Sequence, residues 1–279
     1  MSSSDIEVVY EDYDALKKFE LSRHKDRPNI RYYIDYMIED FIEFKGDRAF
    51  GEDGAMLCGI GRFGGIPVTV IGQVKGKNLK ENINANFGMA RPEGYRKALR
   101  QMKLAEKFHR PIITFVDTPG AEPGVEAEER GQSEAIAHNL RDMMALRTPV
   151  ISVMCGEGGS GGALGIACGN VVLMMENATY SVISPKGFAS IVWKDAAREK
   201  EAASQLKMTA ADLMDLGVIE DIIREPHGGA HMNPPLAAKN LKEKISEYLP
   251  SLLEKDGELL YNERYHKFRR IGVFGVVSE

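Results

Sequence analysis

Seven glycines lie within the fourteen residues GEGGSGGALGIACG at 156–169, directly after the apolar run PVISVMC at 149–155. Glycine weakens both helices and strands, so a segment this rich in glycine indicates a place where the backbone must approach something closely. Three kinds of chemistry use such a segment: a phosphate held by backbone N–H groups, a nucleophilic serine on a sharp turn, or donors for a developing negative charge. The rest of the chain has to decide among them.

A second glycine loop, TPGAEPG at 118–124, follows the apolar run PIITFVD at 111–117. Each loop comes after a buried strand and before a helix. Neighbouring strands of a parallel sheet place such loops at the same edge, where open α/β sheets bind ligands. Helix starts there offer free N–H groups that hold a negative charge without a charged side chain. The phosphate hypothesis is weak, because neither loop has the lysine of a P-loop or the spacing of a dinucleotide fingerprint.

The serine hypothesis depends on Ser160, at the centre of 158–162. This pentapeptide formally fits G-x-S-x-G between a strand and a helix, the context of a nucleophile elbow. Because glycine is so abundant here, the match carries little weight, and the HGG triplet at 227–229 lies after the serine rather than before it. The other members of a triad would be Asp215 or Asp221 and His227 or His231.

The oxyanion hypothesis asks least of the sequence. Adjacent glycines at a helix start let two N–H groups converge on one oxygen of an enolate or thioester. Each such donor contributes on the order of 3–4 kcal/mol to stabilising the charge. The alternative is a glycine run that only permits close packing of a helix on a sheet, and the presence of two such loops weakens that alternative.

Alternating strands and helices must position these loops, which predicts one α/β domain with a largely parallel sheet and helical extensions at both ends. Gly64 and Gly65 predict a tight hairpin between two β-type runs. The predicted strands are 55–63, 66–74, 111–117, 149–155, 170–176, 179–184 and 218–225. The predicted helices are 31–44, 91–110, 126–147, 163–168, 184–206, 209–217 and those within 236–265.

Composition excludes several classes of protein. The 279 residues carry a net charge of −5 and a pI of about 5.8, which argues against a nucleic-acid partner. No signal peptide and no membrane-spanning run is evident, so we expect a cytoplasmic protein without a membrane partner. None of the three cysteines has a C-x2-C spacing, so we expect no metal site in this chain and a reducing compartment. These cysteines are Cys58, Cys155 and Cys168.

Several long stretches form specific motifs: NFGMARPEGYRKALRQMKLAEKF at 86–108, DTPGAEPGVEAEERGQSEAIAHNL at 117–140, GEGGSGGALGIACGN at 156–170 and EPHGGAHMNP at 225–234. Together they resemble the α subunit of the acetyl-CoA carboxylase carboxyltransferase. The resemblance implies a crotonase-like fold, an α/β superhelix of β-β-α units. It divides the chain into a helical extension over 1–45, a carboxyltransferase domain over 46–235 and a C-terminal helical segment over 236–279.

The resemblance also implies a reaction and partners. The carboxyl group of carboxybiotin, borne on a biotin carboxyl carrier protein, is transferred to acetyl-CoA and gives malonyl-CoA for fatty-acid synthesis. The α chain works in an α2β2 heterotetramer, together with biotin carboxylase, and zinc is expected only in the β subunit. The cofactor can act as the base, so the negative charges on oxygen need fixed donors more than a side-chain base.

By resemblance, Gly161 and Gly162 form an oxyanion hole that faces biotin. Residues of both loops line the same carboxybiotin pocket: Gly120, Ala121, Pro123, Gly124, Gly158 and Gly159. Separately, KGKNLK at 75–80 predicts either a solvated turn or a contact with CoA phosphates or the carrier protein through lysines. The candidate lysines are Lys75, Lys77 and Lys80.

Three positions depart from the family pattern. Glu122 stands where a tyrosine is usual, Lys186 replaces a glutamate and Phe188 replaces a small residue. The usual long N-terminal helical segment is also mostly missing. Two further hypotheses stay open: a non-catalytic scaffold for the β subunit, and another crotonase-type CoA enzyme whose acid and base would be Glu122 and Glu157.

Overall fold

The computed structural model describes residues 13–272 and residue 275. Its strands are β1 Glu39–Glu43, β2 Met56–Phe63, β3 Ile66–Gln73, β4 Ile112–Thr118, β5 Val150–Gly159, β6 Val171–Met175, β7 Thr179–Ser181 and β8 Asp221–Ile223. They form one sheet in the order β1-β2-β3-β4-β5-β6-β8, and β7 pairs with the carboxyl end of β5.

The helices follow the strands in the alternation that the sequence predicts. Asp, Asn, Ser and Thr side chains cap many of them; Thr209, for example, forms a capping box with Asp212. The helices are α1 Ala15–Ser22, α2 Ile30–Met37, α3 Leu79–Asn84, α4 Pro92–Lys107, α5 Val125–Glu129, α6 Gln132–Ala145, α7 Ser160–Leu164, α8 Pro185–Val192, α9 Glu199–Gln205, α10 Ala210–Asp215, α11 Pro234–Leu253 and α12 Gly257–Arg270.

The sheet changes from antiparallel to parallel at β3. Strands β2 and β3 form the predicted hairpin, and both turn glycines have positive φ, 55° at Gly64 and 81° at Gly65, as a two-residue turn of this kind requires. From β3 onwards every pair of neighbours is parallel. Every residue of β4 is buried, which fits a strand covered on both faces. The prediction of a largely parallel α/β sheet is confirmed.

The predicted helix over 31–44 is wrong beyond Met37. Residues Glu39–Glu43 instead form an edge strand that pairs antiparallel with β2. The apolar spacing of the segment fits a helix, but an available strand edge overrides a local preference. The predicted helix over 126–147 is likewise interrupted, because Gly131 adopts a left-handed φ of 81° and separates α5 from α6.

The glycine-rich segment also differs from its prediction. Strand β5 continues through Gly159 instead of ending at residue 155, since its last three residues gain a partner in β7. The helix predicted over 163–168 begins earlier, at Ser160, and ends at Leu164. Gly161 and Gly162 therefore lie in the first turn of the helix rather than in a loop before it.

Buried arginines tie the segment after α1 and the last helix to the rest of the fold. Arg27, between α1 and α2, pairs with Glu225 just beyond β8. Arg264 of α12 binds carbonyls near the end of α6. Parts of the segments 1–45 and 236–279 lie outside the described residues, and the three-part division of the chain stays a prediction. Among the described helices, none is both long and apolar enough to cross a membrane.

Candidate functional site

The two glycine loops meet at the carboxyl edge of β4 and β5, which are parallel neighbours. A Cβ on Gly159 would overlap the carbonyl of Pro119, and a Cβ on Gly162 would overlap the backbone N of Ala121. Glycine at these two positions therefore lets the second loop lie directly against the first. The prediction that both loops share one edge of the sheet is confirmed.

Helix α7 begins immediately after β5 and presents free N–H groups. Its first three residues are Ser160, Gly161 and Gly162, whose N–H groups have no carbonyl to bind within the helix. No side chain of the described residues caps this start. Gly162 is buried, whereas Gly161 is half-buried, and the nearest atom to a Cβ built on it is the Ile136 methyl at 4.0 Å. Two adjacent donors thus stay available to a ligand.

The carbonyl of Gly162 is held by side chains. Because α7 is so short, the N–H of Ile166 turns to Ala163 and leaves this carbonyl without a helical donor. The Nε2 of Gln73 donates to it over 2.6 Å, and the hydroxyl of Tyr95 donates over 3.0 Å. Both side chains are fully buried. Burial raises the pKa of Tyr95, so its hydroxyl keeps the proton that it donates.

An apolar depression of about 320 Å³ opens beside Gly161. Its walls come mainly from aliphatic and aromatic side chains, with Gly161 at one margin. An apolar wall next to unpaired N–H donors suits a small ring with one polar edge. The other lining residues are Ser160, Leu164, Tyr180, Ser181, Val182, Leu213 and Val218.

The family model described as acetyl co-enzyme A carboxylase carboxyltransferase-like matches residues 2–272. The chain belongs to this family. A relative from Clostridium botulinum, named acetyl-coenzyme A carboxylase carboxyl transferase subunit alpha, is 56% identical over 256 residues, 92% of this chain and 93% of that protein. A relative of the same name from Listeria welshimeri is 52% identical over 269 residues, 96% of this chain and 85% of that protein.

Solved structures with low sequence identity share the fold. A transcarboxylase 12S structure with methylmalonyl-coenzyme A superposes with a TM-score of 0.68 at 18% identity, over 84% of this chain and 44% of that chain. This chain therefore spans less than half of the transcarboxylase chain. A Pseudomonas malonate decarboxylase hetero-tetramer in complex with coenzyme A superposes with a TM-score of 0.64 at 15% identity, over 79% of this chain and 91% of that chain. The predicted crotonase-like fold is confirmed.

In this carboxyltransferase-family chain, the contacts of the described residues assemble no triad around Ser160. Its hydroxyl makes no hydrogen bond to an imidazole within the described residues. Asp221 lies 2.9 Å from Lys244 and accepts from a tyrosine hydroxyl. His231 stacks on His24 with ring centroids 3.8 Å apart. The arrangement gives no support to the serine-hydrolase hypothesis.

Both carboxylates proposed for another CoA enzyme are engaged. Glu122 accepts from the N–H of Gly124 over 3.0 Å and from the amide of Asn86, so it closes its own loop. Glu157 lies 2.6 Å from Lys75 and 3.1 Å from Arg23. Neither carboxylate is presented as a free acid or base. The departure at Glu122 therefore acts on the shape of the first loop.

The loop residues predicted to line the pocket differ in their distance from the glycine pair. Gly120 and Ala121 lie directly against Gly162, which brings them to the site. Pro123 is exposed and Gly124 caps α5, farther along the loop. Two further predicted residues, Gly158 and Gly159, belong to β5 and pair with β7. Their lack of a side chain serves strand pairing and loop packing.

The three candidate lysines separate into two kinds. The Nζ of Lys75 lies 2.7 Å from Asp117 and 2.6 Å from Glu157, in a charged cavity of about 320 Å³. Burial alone would lower the pKa of Lys75, but the two carboxylates outweigh burial and raise it. Lys77 and Lys80 are exposed. Only these two lysines are placed to meet a phosphate or an acidic surface.

Sequence reasoning missed the residues that hold the glycine pair. Gln73 ends an otherwise apolar strand, and Tyr95 belongs to the buried face of α4. Gln132 of α6 donates to the carbonyls of Ala90 and Glu122, and so holds the first loop in the same way. A buried glutamine in a strand of Val and Ile is a signal that deserved a functional explanation.

Proposed function

We propose that this chain is the α subunit of an acetyl-CoA carboxylase carboxyltransferase, which transfers a carboxyl group from carboxybiotin to acetyl-CoA and gives malonyl-CoA. The relatives that carry this subunit name are 52–56% identical over most of both chains. The single structural observation that carries the proposal is the pair of unpaired N–H groups at Gly161 and Gly162. The product would serve fatty-acid synthesis.

The glycine pair acts as an oxyanion hole. When bound, carboxybiotin supplies the carboxyl group and a ureido oxygen on which negative charge develops. The N–H groups of Gly161 and Gly162 donate to that oxygen. Because they are fixed before the reaction and lie beside an apolar wall, each is worth more than a donor in water and contributes on the order of 3–4 kcal/mol.

The residues present fit a bicyclic ring on one side of the pair only. A Cβ on Gly162 would overlap the first loop, whereas a Cβ on Gly161 would meet nothing closer than the Ile136 methyl at 4.0 Å, and Gly161 itself lines the apolar depression. Gly161, Leu164 and Val182, which line this depression, would hold the ring. Gly120 and Ala121 form the opposite margin, and Pro123 and Gly124 shape the approach to it.

The proposed reaction needs other proteins besides this chain. The β subunit would complete an α2β2 heterotetramer and supply most acetyl-CoA contacts together with the zinc. The described part of this chain has no cluster of three or more His, Cys, Asp or Glu residues that could bind a metal. The carrier protein and biotin carboxylase would deliver the carboxyl group, in the cytoplasm. Lys77 and Lys80 would contact a CoA phosphate or the carrier protein.

Reconstitution tests the proposal directly. The chain is co-expressed with a carboxyltransferase β subunit, and the purified complex is supplied with acetyl-CoA and a carrier protein carboxylated with labelled bicarbonate. We expect labelled malonyl-CoA from the complex, little product from either subunit alone, and zinc only in the β subunit. A stable complex that forms no malonyl-CoA would favour a scaffold, and hydration of enoyl-CoA by this chain alone would favour another CoA enzyme.

A further inference from the structure

We propose that Gln73 and Tyr95 are positioning residues for the glycine pair. By holding the carbonyl of Gly162, they fix the peptide group between Gly162 and Ala163, and so restrain the first turn of α7 that carries the N–H groups of Gly161 and Gly162. This inference rests on the proposed function of that pair. It assigns a role in carboxyl transfer to two side chains that need not touch the reacting groups.

Helix α7 needs such support because of its length and composition. It has five residues, which is far too short for a helix to be stable on its own. Two of its first three residues are glycines, which have more backbone freedom than any other residue. Donors for a developing charge must nevertheless hold their positions closely, since a displacement of about 1 Å can cost about 100-fold in rate. Something outside the helix must therefore fix Gly161 and Gly162.

The Gly162 carbonyl is gripped from two rigid elements. Gln73 is the last residue of β3 and Tyr95 lies in the first turns of α4. A carbonyl oxygen can accept two hydrogen bonds, and this one accepts from both side chains. The planar peptide group between Gly162 and Ala163 is therefore restrained against rotation. On its other side, Gly162 lies against the backbone of Ala121 so closely that a Cβ would not fit. The residue is thus fixed at its carbonyl and at its Cα.

One polar atom of the Gln73 side chain has no partner in the described part of the fold. Its Oε1 is buried without a hydrogen-bond partner among the described residues. An apolar side chain there would avoid burying that oxygen. Two amides of α6 show the same pattern: each donates to a carbonyl around the glycine loops and leaves its own oxygen without a partner. They are Gln132, which binds Ala90 and Glu122, and Asn139, which binds Gly165.

These three buried amides converge on the segments that carry the two glycine loops. Buried polar atoms without partners are rare in folded proteins, and these three amides hold three of the six such side-chain atoms among the described residues. The pattern separates the two sides of α7. Side chains bind the carbonyl of Gly162, and backbone N–H groups bind those of Gly161, Ala163 and Leu164, while the N–H groups of Gly161 and Gly162 have no acceptor among the described residues.

The test compares isosteric variants in the reconstituted complex. Gln73→Met and Tyr95→Phe each remove one donor and keep the approximate shape of the side chain. We expect kcat to fall about 10-fold in each and about 100-fold in the double variant. The KM for acetyl-CoA should change less than about twofold, because the substrate contacts are untouched.

Thr114→Val is the matched control. The Thr114 hydroxyl is equally buried and donates over 2.7 Å to the carbonyl of Ile166, four residues beyond Gly162. Its loss removes a hydrogen bond of the same kind but leaves the Gly162 carbonyl held. We expect Thr114→Val to retain the kcat of the unchanged complex.

A second measurement does not depend on turnover. Hydrogen–deuterium exchange at Ala163 and Leu164, whose N–H groups close the turn of α7, should speed up in the Gln73 and Tyr95 variants and not in Thr114→Val.

Unchanged kcat and unchanged exchange in the double variant of an active complex would overturn this inference and leave the proposed function intact. A control that loses as much activity as Gln73→Met would reduce both residues to a structural role. An unchanged complex without carboxyl transfer would overturn the proposed function instead.

Discussion

The helix termini at the two ends of strand β5 differ in whether their main-chain polar groups have hydrogen-bond partners. At the carboxyl end, α7 begins with N–H groups at Gly161 and Gly162 that have no acceptor. At the amino end, the residues that close α6 and lead into β5 have their carbonyls bound by Arg264. The carbonyls that Arg264 binds are those of Met143, Met144, Leu146 and Thr148.

This difference separates structural from functional use of the main chain. A buried helix end without partners is costly, so a fold normally satisfies it with side chains. Arg264 does so at the end of α6, although burial lowers its pKa to about 10. Its hydrogen-bond partners among the described residues are carbonyls and the Asn170 amide oxygen, with no carboxylate. The start of α7 has no such cap within the described chain, because the preceding residue is Gly159, where a Cβ would overlap the carbonyl of Pro119. Under the proposed function, a ligand accepts from the N–H groups that loop packing leaves uncapped.

The largest effect on stability is expected from replacing Arg264, which binds the carbonyls at the end of α6. Arg264→Met leaves four carbonyls without their donor, and we expect the free energy of unfolding to fall by on the order of 4 kcal/mol. Urea titration of the purified chain measures this. The exposed Arg269 on the same helix is the matched control, and Arg269→Met should change stability by less than about 0.5 kcal/mol. Equal effects of the two substitutions would contradict a structural role for the buried arginine.

The next effect is expected at the free end, where activity rather than stability should fail. A Cβ on Gly161 meets nothing closer than 4.0 Å, so Gly161→Val should fold and place its methyl groups in front of the donors. We expect kcat for carboxyl transfer to fall by about 100-fold or more with little change in melting temperature.

Gly162 provides the contrast within the same pair. A Cβ there overlaps the backbone of the first loop, so Gly162→Ala should lower the melting temperature as well as kcat. Thermal unfolding and the transfer assay, run on both variants, separate the two effects. A Gly161→Val variant that keeps full activity would show that the open side of the pair is not where the ligand lies.

The site could be found from the sequence only where its signals are local. The glycines of 156–169 and 118–124 follow apolar runs, and a parallel sheet brings such loops together. Gln73 and Tyr95 could not be found in this way, because each acts on a carbonyl 89 or 67 residues away. No spacing rule connects residues at that separation. Their only local trace is a polar side chain at a buried position.

The fold shows the same limit. Buried strands such as β4 were predictable from unbroken apolar runs, and the hairpin from Gly64 and Gly65, since both signals lie within a few residues. The edge strand Glu39–Glu43 was not, because it depends on the exposed edge of β2. Likewise, β5 extends to Gly159 only because β7 arrives beside it. Where a distant partner determines the structure, local pattern fails.

A smaller effect on stability is expected at Asp47. Its carboxylate binds backbone N–H groups, whereas those at the start of α7 have no acceptor among the described residues. The carboxylate of Asp47 accepts from the N–H groups of Ala49, Phe50 and Gly51 and pairs with Arg96. Burial alone would raise the pKa of Asp47, but these donors outweigh it and lower the pKa to about 2, from an ordinary 3.8. A lowered carboxyl pKa stabilises the fold above the ordinary value, by about 2 kcal/mol here, and that stability is lost as the pH falls towards 2.

Asp47→Asn should therefore lower the free energy of unfolding by about 2 kcal/mol at pH 7. The difference from the unchanged chain should shrink between pH 4 and pH 2, the range set by the two pKa values. Urea titrations at several pH values measure it. Asp35→Asn, at an exposed position, is the control and should change little. A difference that stays constant down to pH 2 would mean that the charge of Asp47 does not hold the loop.

The smallest effect is expected at Ser160, which lies at the free end but uses no side chain there. Its φ of 51° is left-handed, a conformation that glycine adopts with less strain. Ser160→Gly should keep the transfer activity and raise stability by no more than about 1 kcal/mol. Ser160→Ala should keep kcat within about twofold, because the hydroxyl is not the group that meets the charge. Loss of turnover in Ser160→Ala, with labelling of Ser160 by a fluorophosphonate, would show that this side chain and not the main chain performs the reaction. The contrast between the two ends of β5 would then have no functional meaning.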